Sequence, residues 1–65
     1  MNAASFASKE VTRRAVQMCY DLAHADFKWY REFRKMGDLR YAELSLRSGM
    51  EYRAKGKQVM REAQR

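Results

Sequence analysis

Two long runs of helical periodicity meet at Gly37-Asp38, and no proline interrupts either of them. Proline in a helix interior costs about 3 kcal/mol, so its absence suits a chain that is nearly all helix. Glycine is the residue that ends a helix in the left-handed conformation at C′, and aspartate caps the helix that follows. Gly37 next to Asp38 therefore predicts a stop and an immediate restart, with helix 1 over about 9–36, a turn at 37–38 and helix 2 over about 39–63. A connection this short makes the helices antiparallel neighbours. The expected fold is all-α, a two-helix hairpin forming one domain over residues 1–65. The competing reading is one continuous helix that tolerates a glycine.

Ser8 is the expected cap of helix 1, with Glu10 in a first turn whose dipole favours an acid; Ser5 is the competing cap. Residues 1–7 are read as a frayed lead-in. Val11, Ala15, Met18, Leu22, Ala25, Trp29 and Met36 alternate at spacings of three and four, broken only by Glu32, and form a heptad seam. Val16, Tyr20, Ala23, Phe27 and Tyr30 form a second stripe beside it, with Cys19 and Phe33 between the two. The apolar surface of helix 1 is wider than one partner helix covers. Helix 2 is lighter. Ala42, Gly49, Gly56 and Ala63 place a small residue at every seventh position, in a seam shared with Leu39, Leu46, Arg53 and Met60. Each interior glycine costs about 1 kcal/mol relative to alanine. Close packing is the expected compensation, and a kinked or frayed helix 2 is the alternative. Arg53 is the irregular member of the seam, expected to extend its stem along apolar surface, to pair with an acid such as Glu32, or to mark register. Glu10–Arg14, Glu43–Arg47 and Glu51–Lys55 have the spacing of exposed ion pairs.

A chain of 65 residues buries a small share of its surface, and such domains rely on disulfides, a metal or oligomerisation. Cys19 is the single cysteine, so no internal disulfide forms, and Cys19 with His24 falls short of the four ligands of a structural zinc. Oligomerisation remains, and a dimer forming a helical bundle is expected. Hydrophobic residues make up 46% of the chain, too many for intrinsic disorder. No apolar run approaches 18 residues, and the first eight lack the charged and apolar regions of a signal peptide. A cytoplasmic location, no membrane association and no cofactor or metal are expected.

No glycine-rich phosphate loop, HExxH or EF-hand pattern is present. His24 lies three residues after Asp21 on the polar strip, with no serine or cysteine placed to complete a relay, and Asp26 and Glu32 are isolated carboxylates. The chain is read as a non-enzyme. Its net charge of +6 favours solubility and non-specific attraction to polyanions. Trp29, Tyr30, Arg31, Phe33, Arg34 and Arg40 gather cations and rings around the turn, a composition suited to a protein hot spot or to phosphate contact with base stacking. These six are the candidate macromolecule-binding residues. Leu22, Phe27, Trp29, Ala42, Leu46 and Gly49 are the candidate self-association residues. The favoured function is a small regulator or adaptor acting by protein–protein contact. The alternative is a sequence-tolerant RNA- or DNA-binding hairpin.

The runs Val11–Met36 and Leu39–Met60 around Gly37-Asp38 resemble, in size and plan, the short accessory proteins of temperate bacteriophages and plasmids. Among these the chain is similar to the Rop-type hairpin, which implies a four-helix bundle made of two hairpins. Tyr20, Phe27, Trp29 and Tyr30 make this chain bulkier than the regular layers of that family. Length and composition also look like the lambda-like early-region accessory proteins, which implies a host-directed regulator acting by contact.

Overall fold

The computed structural model describes the backbone of residues 2–63 and the side chains of residues 9–63, arranged as two helices, α1 (Asn2–Lys35) and α2 (Leu39–Ala63). They pack along their length as a hairpin with principal extents of 53 × 15 × 10 Å.

The turn follows from local chemistry. Gly37 sits at φ +80°, in the left-handed region that glycine enters without a Cβ penalty. Its N–H donates to Arg34 O at 3.1 Å, and the Asp38 N–H donates to Phe33 O at 2.9 Å. Those two bonds form a Schellman motif, which satisfies carbonyls that the end of α1 would leave unpaired. Asp38 then serves α2 as its N-cap. The Tyr41 N–H donates to Asp38 Oδ1 at 3.3 Å and the Ala42 N–H to Asp38 O at 3.0 Å. One residue thus closes one helix and opens the next.

The start of α1 departs from expectation. The helix begins at Asn2 rather than Lys9, and both Ser5 and Ser8 lie inside it. Ala3, Ala4 and Ala7 are the best helix formers available, and the serines cost only a few tenths of a kcal/mol there, so the helix continues past the candidate caps.

Of the two apolar stripes on α1, the one containing Val16, Tyr20, Ala23, Phe27 and Tyr30 turns toward α2, and each of its members is buried or half-buried. From α2, Ala42, Gly49 and Gly56 face it and are buried. The small residues admit rings. A β-carbon at Gly49 would lie 2.7 Å from Phe27 Cε1, and one at Gly56 would lie 3.4 Å from Tyr20 Cζ and 3.2 Å from Cys19 Cβ. The glycines of α2 therefore lie in unbroken helix, where side-chain atoms of α1 occupy the space their own side chains would fill.

What the hairpin buries is slight. Among the described residues the buried hydrophobic side chains are Ala23 and Ala42, 3% and 2% exposed, and no large side chain is fully buried. The accessible surface is 5762 Å². A compact monomer of 7.7 kDa exposes about 4,300 Å², so this chain carries about 1,400 Å² in excess.

Candidate interaction surfaces

A hairpin of two helices has two broad faces, and the phase of each helix assigns side chains to them. On one face Trp29 stacks on Phe33, with ring centroids 5.6 Å apart and planes at 29°. Phe33 meets Tyr41 of α2, also at 5.6 Å. This chain of three rings crosses from α1 to α2 beside the turn. Positions seven residues apart keep the same face when a helix packs along its neighbour. The heptad seam of α1 therefore shares the face of Trp29, and it is solvent-facing: Val11 is 65%, Met18 62%, Leu22 43%, Trp29 55% and Met36 66% exposed. We call this row the outer seam. It runs about 38 Å at 1.5 Å per residue. Leu44 and Tyr41 extend the face onto α2 and are also exposed.

The opposite face is mixed. Tyr20, Ala23, His24, Phe27 and Arg53 line a shallow open hollow there, and Leu39, Leu46 and Met50 follow on the same flank of α2. Arg53 lies beside the two rings while remaining exposed, so its stem covers apolar surface and its charge reaches water. Glu32 pairs instead with Lys35 at 3.8 Å. Asp21 accepts from Gln17 Nε2 at 3.0 Å. Arg14–Glu10 at 3.2 Å and Arg47–Glu43 at 3.3 Å form as their spacing predicts, whereas Glu51 and Lys55 are not within ion-pair distance in the chain. All three pairs are exposed and contribute a few tenths of a kcal/mol each.

The six candidate binding residues do not converge. Trp29 and Phe33 share the outer-seam face. Tyr30 is half-buried toward α2, and its hydroxyl accepts a hydrogen bond from Arg34 Nη1 at 3.0 Å, with the Arg34 guanidinium 5.6 Å from the ring centroid. Arg31 lies on the flank of His24, seven residues away, and Arg40 lies on the outer side of α2 in the row of Arg47 and Arg61. The cause is helical phase. Two residues along a helix is a rotation of about 200°, so Trp29 and Arg31 cannot serve one surface. The self-association set divides likewise. Phe27, Ala42 and Gly49 are used inside the hairpin, and Leu46 sits half-buried on the mixed face. Leu22 and Trp29 remain outward.

No protein-family model, curated protein or solved structure matches this chain. Tyr41 and Leu44 belong to the exposed face, and neither is among the candidate binding or self-association residues read from the sequence. The signal for Tyr41 was its place just beyond the turn, where it meets the last aromatic of α1. Among the described residues no group of three or more histidine, cysteine, aspartate or glutamate side chains is placed to hold a metal, and no helix is long and apolar enough to cross a membrane.

Proposed function

We propose that this chain is a small non-enzymatic regulator or adaptor that works by protein–protein contact, in the cytosol and as a self-associated hairpin. The observation that carries the reading is the exposed apolar face. Scattered surface hydrophobes need no explanation, but a contiguous row along one face, ending in stacked aromatics, is the composition of an interaction surface. Trp29, Phe33 and Tyr41 supply rigid contact area at its turn end. The cations, by contrast, are spread over the mixed face, the outer side of α2 and, at Arg14, Lys28 and Lys35, the border of the outer seam. Such a spread gives general attraction to polyanions and no gripping geometry.

The test compares capture from cell extract by the wild type, Trp29→Ala, Tyr41→Ala and Arg40→Ala proteins, together with titration of fluorescent duplex DNA and single-stranded RNA at low and physiological salt. Capture lost with the ring variants and kept with Arg40→Ala supports the reading. Nucleic-acid binding that survives physiological salt and falls with Arg40→Ala overturns it, and its log–log salt slope would count the phosphates contacted.

A further inference from the structure

We propose that the occupant of the outer seam is a second copy of this chain, laid antiparallel so that α1 packs on α1 and α2 on α2. The inference rests on the protein-contact reading and names the partner at that face.

Three observations support it. First, the hairpin alone has almost no core. Its excess surface of about 1,400 Å² exceeds the roughly 800 Å² that each partner contributes to a stable interface. Second, the outer seam has three-and-four spacing over about 38 Å, the pattern that packs knobs into holes against another helix. A globular partner would need no such period. Third, the acid within the seam selects the direction. The row bordering the seam reads Arg14, Asp21, Lys28, Lys35, and Glu32 interrupts the seam itself. A parallel partner would set Glu32 beside its own copy inside the seam, a contact between like charges. An antiparallel partner that sets Val11 opposite Met36 places Glu32 opposite Ala15 and brings Asp21 toward Lys28 of the second copy. Arg14 and Lys35, which meet across the same row, keep Glu10 and Glu32 as partners within their own chains.

The same alignment extends to α2. Its two-fold axis passes between Leu22 and Ala25. Phe27 packs on Gly49 and Tyr20 on Gly56, so the level of that axis on α2 falls near Arg53. Glu51 and Lys55 straddle it, which places each beside the opposite charge of the second copy.

The experiment uses the full chain with Cys19→Ser, so that introduced cysteines are the only thiols. Val11→Cys and Met36→Cys proteins are oxidised separately and as a mixture, and the mass of the unmodified chain is measured by sedimentation equilibrium. Both substituted residues are exposed in the hairpin, so the variants keep its packing. The proposal expects a mass of about 15 kDa, twice that of one chain. It expects cross-links in the mixture and few in either variant alone. Leu22→Glu should raise the dissociation constant by at least about 100-fold, because a carboxylate would be buried at the seam. Circular dichroism checks that this variant remains helical, and the cysteine result stands without it. Val11→Cys cross-linking to itself overturns the antiparallel arrangement. A mass of one chain up to hundreds of micromolar overturns the second copy. The protein-contact reading is judged separately, because a monomer that loses its extract partner on Trp29→Ala refutes only the dimer.

Discussion

Replacing Gly49 by alanine sets two effects of opposite sign against each other, and the structure says which is larger. Alanine stabilises a helix interior by about 1 kcal/mol relative to glycine. At Gly49 its β-carbon would stand 2.7 Å from Phe27 Cε1, 2.9 Å from Phe27 Cδ1 and 3.2 Å from Asp26 Cβ. Ordinary carbon contacts are about 3.5–4.0 Å, so a half-buried ring must move by most of an ångström. Overpacking of this kind costs about 1–3 kcal/mol. The net effect is a loss of up to about 2 kcal/mol. At Gly56 the nearest atoms are Cys19 Cβ at 3.2 Å and Tyr20 Cζ at 3.4 Å, which a few tenths of an ångström relieves. There the helix propensity prevails, and the variant gains about half a kcal/mol. Gly49→Ala should therefore melt roughly 5–10 °C below Gly56→Ala, at about 4–8 °C per kcal/mol for a domain of this size. Thermal unfolding followed by circular dichroism at matched protein concentrations measures this, since the melting temperature of an oligomer depends on concentration. In a Phe27→Ala background the ring is gone, and Gly49→Ala should become stabilising by about 1 kcal/mol, a coupling that a double-mutant cycle reads directly. Equal gains at both glycines in the wild-type background would refute the ring-over-glycine packing.

Two further predictions concern the turn and the outer face. Gly37→Ala meets no steric neighbour within 4 Å, yet it places a Cβ at φ +80° and should cost about 1 kcal/mol; Asp38→Ala should cost about as much through the lost cap, both read as shifts in denaturation midpoint. Trp29 is the only tryptophan, so its emission reports on the seam alone; it should move to shorter wavelength as protein concentration rises through the dimer midpoint, and an emission maximum independent of concentration would count against self-association there.

The turn was legible because its chemistry is local. Gly37 and Asp38 suffice to stop one helix and start another, and the structure uses them for those two tasks. The all-α hairpin followed from the same two residues together with unbroken periodicity on either side. The start of α1 was not legible in this way, because Ser8 has the chemistry of a cap but the alanines before it continue the helix at little cost. Nor did the sequence decide which stripe of α1 faces inward. Both stripes are apolar, and the choice depends on a distant fact, that glycines on α2 leave room for rings. Tyr20 and Phe27 are seven residues apart, as are Gly49 and Gly56, and that shared interval was the available signal. The cluster of Trp29, Tyr30, Arg31 and Arg34 looked like one site because its members are consecutive in sequence. On a helix, consecutive residues face different ways.

The ring-over-glycine contacts also constrain how this chain can change over time. Phe27 lies eleven residues before Asp38 and Gly49 eleven after it; Tyr20 and Gly56 lie eighteen residues to either side. The pattern is a mirror about the turn. An insertion between the turn and Phe27 displaces every ring from its glycine unless an equal insertion occurs between the turn and Gly49, and a bulkier residue at 49 demands a smaller one at 27. Descendants of this sequence should therefore vary in paired steps across Asp38, keeping the mirror even where the residues themselves change.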